Sequence, residues 1–210
     1  MKQKTVFYCT ECGNETARWS GQCPACGAWN TLTEAPTRPK NENKAAAAAH
    51  RARQTPEKLS DLDAEEEIRF TTGVGELDRV LGGGAVRGSV VLVGGAPGVG
   101  KSTLLLQLCG LIGQRERVLY VTGEESRRQL KLRAQRLGVS SGDIYVLAET
   151  QVNEILAVTE DIKPTVVIID SIQTMFDAEV SATPGSVSQV RESTMAIMRR
   201  AKSDGFTAFV

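Results

Sequence analysis

Apolar positions follow two rhythms along this chain, and between residues 34 and 58 they follow none. Short runs dense in Val, Ile and Leu recur at Val90–Val93, Arg117–Thr122, Ile144–Leu147, Thr165–Ile169 and Phe206–Val210. Runs this short, rich in β-branched residues and bounded by turn formers, predict buried strands. Between them the spacing changes. Leu104, Leu105, Leu106, Leu108, Leu111 and Ile112 fall at helical intervals, and helices are also predicted over Arg127–Leu137, Val152–Ile162 and Val187–Lys202. The third of these four helices stops near Lys163-Pro164, where proline cannot continue it. Strand and helix in alternation predict an α/β domain, a mainly parallel sheet with helices on both faces. The last predicted strand runs to the end of the sequence, which implies that further strands follow Val210.

The patterned region begins near residue 59 and is read as one domain, 59–210. Ahead of it lies a segment, 34–58, with Pro36, Pro39 and Pro56 around Lys- and Asn-rich sequence. It reads as a flexible tether, briefly helical at Ala45–Ala49, and His50, the single histidine, reads as a solvated linker residue. Residues 1–33 form a third, small unit.

Charge adds little at the level of the whole chain, with 25 basic against 25 acidic residues. It is distributed unevenly, since residues 1–58 carry nine Lys and Arg against five Asp and Glu. No apolar run approaches the roughly 18–20 residues that cross a bilayer. The start, Met1-Lys2-Gln3-Lys4-Thr5, leads into no apolar signal segment. A membrane protein and a wholly disordered chain are excluded, and a cytoplasmic location is expected.

In a reducing compartment, paired cysteines point to metal rather than to disulfides. Cys9 and Cys12 form one Cys-x-x-Cys pair, and Cys23 and Cys26 form a second after ten intervening residues. Gly13 and Gly27 follow the pairs, where the chain turns with its N–H groups toward the sulfurs. Four thiolates make a closed tetrahedral shell, the structural kind of zinc site, in a unit too small to bury a core of its own. Doubled pairs without a thioredoxin-like unit argue against a redox role. Two readings of the module stand side by side: a structural staple, or a contact surface for nucleic acid or a partner built from Arg18, Trp19, Gln22, Trp29 and Asn30. On the first reading Trp19 and Trp29 form the mini-core. Cys109 stands apart in an apolar stretch.

The strand at Val90–Val93 runs into Gly94-Gly95-Ala96-Pro97-Gly98-Val99-Gly100-Lys101-Ser102-Thr103 and then into a helix. Strand, Gly-x-x-x-x-Gly-Lys-Ser and helix together specify a phosphate-binding loop. Glycines let backbone N–H groups turn inward around phosphates, and the helix start favours their charge. Gly95, Ala96, Pro97, Gly98, Val99 and Gly100 are the expected cradle. Lys101 is expected at the β- and γ-phosphates, and Ser102 at Mg²⁺ with Thr103 beside it. Asp170 ends the run Val166-Val167-Ile168-Ile169 at the crevice edge of a central strand and is expected to support Mg²⁺ through water. The next residue is Ser171 rather than a water-activating Glu. That role then falls to Glu124, first choice, or Glu125, after the strand Arg117–Thr122. Both can instead be helix N-terminal acids that complement the dipole.

Thr72-Gly73, Leu77-Asp78 and Leu81-Gly82-Gly83-Gly84 ahead of the loop resemble the RecA/KaiC-type ATPase core. The four-cysteine arrangement with Arg18-Trp19 and Gly21-Gln22, the segment Tyr120–Ser126 and the segment Pro184–Glu192 are narrower, and together resemble the bacterial RadA (Sms) DNA-repair family. The resemblance covers all but the linker. It implies a zinc-finger, RecA-like, DNA-dependent ATPase that processes recombination intermediates and drives branch migration in homologous recombination. It implies ATP, Mg²⁺ and Zn²⁺ as cofactors, single-stranded or branched DNA and the RecA recombinase as partners, and a homo-oligomeric ring, expected to be a hexamer. The family also carries a Lys-Asn-Arg-Phe-Gly motif and a Lon-protease-like domain, both expected beyond Val210. On the same ground the loop from Gln173 to Ser188 is expected to face DNA, with Gln189 and Arg191 at its rim. The helix bearing Arg127, Arg128, Lys131, Arg133 and Arg136 is a second candidate surface or a solvated face. Two other functions fit the motifs: an ATP-dependent binding switch without productive turnover, and a KaiC-like autokinase, which the zinc module disfavours.

Overall fold

The computed structural model of the chain describes residues 7–34, 58, 68–139, 142–180 and 182–210. The expected tether, with Ala45–Ala49 and His50, lies outside the described residues.

At the front, β1 (Phe7–Cys9) pairs antiparallel with both β2 (Glu15–Thr16) and β3 (Leu32–Glu34). Its buried cluster is Cys9, Cys23 and Leu32, with Phe7 and Cys12 packed against it. The tryptophans are not the mini-core. Trp19 is 59% exposed and Trp29 70%. The buried positions of the ribbon are taken by Cys9, Cys23 and Leu32 instead.

A second unit opens with β4 (Arg69–Phe70), α1 (Gly75–Val80) and β5 (Ala85–Val86), the two strands pairing antiparallel. Asp78 organises this entry. Its carboxylate accepts from the Thr71 hydroxyl at 2.5 Å, the Thr72 amide at 2.8 Å and the Thr72 hydroxyl at 2.7 Å. Burial pushes the Asp78 pKa up, but these donors outweigh it and hold the carboxyl below its usual range.

The main sheet contains β6 (Val90–Val91), β7 (Val118–Thr122), β8 (Ile144–Ala148), β9 (Val166–Asp170) and β10 (Thr207–Phe209). Their order is β6-β10-β9-β7-β8, and every pairing is parallel. The crossovers are α2 (Lys101–Ile112), α3 (Arg127–Arg136), α4 (Val152–Ile162) and α5 (Val187–Asp204). Alternation along the strands divides the core in two. Leu119, Val121, Val167 and Ile169 pack on one face with Val152 and Ile155 of α4 and Ile197 of α5. Val118, Tyr120, Val166 and Ile168 pack on the other with Leu105, Leu108 and Cys109 of α2 and Leu130 of α3. Burial pushes the Cys109 thiol up to about 12, so it remains a neutral core residue.

The structure differs from the sequence expectation at β6. Among the described strands β6 has a single neighbour, β10, and Leu92 is 75% exposed. Its pairing with β10 continues as far as the Val93 amide, which donates to the Val210 carbonyl at 2.7 Å. No helix of the described residues is long and apolar enough to cross a membrane.

Candidate active site and metal centre

Parallel strands bring their C-terminal ends to one edge, and the register sets what meets there. Thr122 of β7 lies opposite Asp170 of β9 on one side and Ala148 of β8 on the other. The glycine-rich loop follows β6 at the same edge. Its last residue, Gly100, caps α2 in the left-handed region with φ 104°, which a side chain would strain. Lys101 then begins the helix and folds its ammonium back over the loop, donating to the Gly95 carbonyl at 2.8 Å and the Ala96 carbonyl at 3.0 Å. Gly94 to Gly100 are exposed, as a loop that receives a ligand must be, and Thr103 points outward.

Ser102 and Asp170 meet although 68 positions separate them: the serine hydroxyl donates to Asp170 Oδ1 at 2.9 Å. The other oxygen, Oδ2, accepts from the Tyr120 hydroxyl at 2.7 Å. Tyr120 is fully buried, and burial first, then the Asp170 charge, push its phenol well above the ordinary range, so it stays a donor. Sequence reasoning missed this residue. A tyrosine within an apolar strand reads as core, and only the β7–β9 register, which sets Tyr120 opposite Ile168, brings its hydroxyl to Asp170. A serine hydroxyl beside a carboxylate is a hard oxygen donor set that suits Mg²⁺. Ser102 and Asp170 can hold that ion, which when bound would offset phosphate charge.

The two candidate glutamates separate. Glu125 forms an ion pair with Arg133 of α3, and its amide is held by the Thr122 hydroxyl at 3.0 Å. Glu124 is exposed, and its Oε1 accepts from the Ser171 hydroxyl at 3.2 Å, one residue beyond Asp170. Gly123 lets this segment sit tightly on the turn of the 3₁₀ helix Ile172–Thr174: a Cβ at Gly123 would run into the Thr174 side chain. Glu124 is thus free to face a ligand, whereas Glu125 is tied to α3.

Around the expected DNA-facing loop one residue is placed differently from expectation. Gln189 is not at a rim but buried, 2% exposed. Its Oε1 accepts from the Asp177 amide at 2.8 Å, and its Nε2 donates to the carbonyls of Asp177, Val180 and Ala182 at 3.1, 3.1 and 2.9 Å. The amide side chain satisfies loop backbone that would otherwise be buried without partners. Arg191 is exposed beside Glu192. On α3, Arg127, Arg128, Lys131 and Arg136 are exposed, while Arg133 is occupied by Glu125. Ser126 caps that helix, with Gln129 completing a capping box.

In the ribbon the sulfurs of Cys9, Cys12, Cys23 and Cys26 all lie within 4.8 Å of one another. Cys9 and Cys26 are 3.7 Å apart, Cys12 and Cys23 3.6 Å. A tetrahedral zinc with Zn–S of about 2.3 Å requires sulfurs roughly 3.8 Å apart, so the set fits Zn²⁺. Arg18, Trp19, Gln22, Trp29 and Asn30 are all exposed around it.

Known proteins resemble both parts of the chain. Residues 70–152 match the ATPase family described as KaiC, and residues 7–34 match the rubredoxin metal binding domain, a zinc ribbon. The fold is accordingly a RecA/KaiC-like ATPase domain preceded by a four-cysteine zinc ribbon. Among curated relatives, the DNA repair protein RadA of Bacillus subtilis (strain 168) is 46% identical over 212 residues, covering 100% of this chain and 46% of the relative. RadA of Halalkalibacterium halodurans is 48% identical, covering 100% and 46%. RadA of Escherichia coli (strain K12) is 47% identical over 207 residues, covering 96% and 45%. The chain spans about half the length of the curated relatives it matches. With this identity along its whole length, the chain belongs to the RadA family.

Proposed function

We propose that the chain is part of a DNA-dependent ATPase of homologous recombination, which uses ATP and Mg²⁺ to process recombination intermediates and drive branch migration. The observation that carries this reading is the junction at the sheet edge: Ser102 bonded to Asp170, with Glu124 bonded to the adjacent Ser171. Gly95 to Thr103 cradle the phosphates, Lys101 leaves its loop carbonyls for the β- and γ-phosphates, and Glu124 orients water for in-line attack. DNA follows the loop organised by Gln189 and the exposed cations of α3. The ribbon takes a different role. Residues 7–34 carry Glu11, Glu15 and Glu34 against Arg18 alone, and four zinc-bound thiolates add further negative charge. Such a surface repels phosphates, so its exposed tryptophans suit a protein partner, the RecA recombinase being our candidate. The active protein is a homo-oligomeric ring, with six subunits expected.

Phosphate release by the full chain, with and without single-stranded DNA, tests the reading. Glu124→Gln should lower turnover roughly 10²–10⁴-fold while a fluorescent nucleotide still binds. Lys101→Ala should lose both. Hydrolysis near the wild-type rate in Lys101→Ala would remove the lysine from the mechanism and sink the phosphate-loop reading. Wild-type binding with no turnover on any DNA would leave a switch rather than a motor.

A further inference from the structure

Resting on the ATPase reading above, we propose that Tyr120 is a positioning residue for Asp170: its hydroxyl fixes one carboxylate oxygen so that the other faces the divalent cation. Both oxygens of Asp170 are held by hydroxyls, Oδ1 by Ser102 and Oδ2 by Tyr120. The two hydroxyls differ in what they are free to do. Ser102 lies in the first turn of α2 beside an exposed loop, and its oxygen is the one that a bound Mg²⁺ would take. When that oxygen turns to the cation, Oδ1 is released and the carboxylate has one tether left.

Tyr120 cannot turn away in the same manner. Its ring is fully buried in the sheet face that packs on α2 and α3, among Cys109, Leu130 and Ile168. The terminal torsion of an aspartate is otherwise broad, so a carboxylate without this tether can rotate out of line. A phenylalanine would fill the ring's space equally well. The hydroxyl's use is therefore its bond to Asp170, in the way that outer partners orient metal-supporting carboxylates elsewhere.

The test is Tyr120→Phe in the full chain, with a fluorescent ADP titrated at a series of Mg²⁺ concentrations so that no turnover intervenes. We expect the Mg²⁺ concentration at half-saturation to rise about tenfold. Nucleotide affinity in EDTA and the thermal midpoint of the core should stay near wild type. In an Asp170→Ala background, Tyr120→Phe should add no further shift in Mg²⁺ dependence, since both act through one carboxylate. An unshifted half-saturation in a folded variant overturns the proposal, and so does an equal shift on top of Asp170→Ala. A variant that loses its core transition assigns the hydroxyl to stability and also overturns it. A wild-type chain that binds no nucleotide removes the ATPase reading beneath the proposal. A wild type with clear Mg²⁺ dependence beside an unshifted Tyr120→Phe removes the proposal alone.

Discussion

The ribbon of residues 7–34 and the ATPase domain from residue 68 onward reach a fixed shape with different materials. In the ribbon the buried cluster is little more than two cysteines and a leucine, with its two tryptophans left outside. In the ATPase domain five parallel strands bury Val, Ile and Leu on both faces. Burial of such side chains contributes about 1.5–3 kcal/mol each, spread over many contacts. A tetrathiolate zinc concentrates about 10–16 kcal/mol in a single ion. One unit therefore loses its fold with a single ion, whereas the other holds until its many contacts give way together.

Metal removal is the sharpest way to test that contrast. Chelation, or Cys23→Ala, should abolish zinc content and unfold the ribbon, read by tryptophan fluorescence, while the thermal transition of the core stays in place. Loss of the core transition together with zinc would mean that the two units fold as one. Leu108→Ala comes next. Leu108 is fully buried between α2 and the sheet, so its truncation should destabilise the core by about 2–5 kcal/mol in denaturant melts. Zinc stoichiometry should not change.

The smallest expected effect is that of pH on Asp78. Its folded pKa lies below the ordinary value, so its charge stabilises the fold above pH about 4. That contribution is lost as pH falls through the lowered folded pKa. Asp78→Asn should therefore lower the core's melting temperature near neutrality and flatten its fall below pH about 4, so that variant and wild type converge in acid. An identical acid slope in variant and wild type would remove Asp78 from the acid response.

Much of this is legible in the sequence, and the exceptions share a cause. The βα alternation, the phosphate loop and the four cysteines are local: each is written in consecutive residues or fixed spacings. The bond from Tyr120 to Asp170 is not, since it depends on which residues of β7 and β9 stand side by side. Gln189 reads as a polar residue near a helix start, and its burial follows only once the loop from Asp177 to Ala182 folds over it. The tryptophans read equally well as interior or surface, because so small a unit has too little interior for hydrophobicity to tell the two apart.

The pairing of Val118 with Val166 through Thr122 with Asp170 has a consequence for how the chain can tolerate change. Side chains alternate across a strand, so inserting or deleting one residue within β7 would exchange its two faces over the shifted stretch. Tyr120 would turn from Asp170 toward α4 and α5, and Glu124 would lose its station beside Ser171. Helices α3 and α4 can slide or lengthen at their loops without such an exchange. Length, more than composition, is what these two strands must keep, and point substitutions along them should be far better tolerated than a single-codon gain or loss.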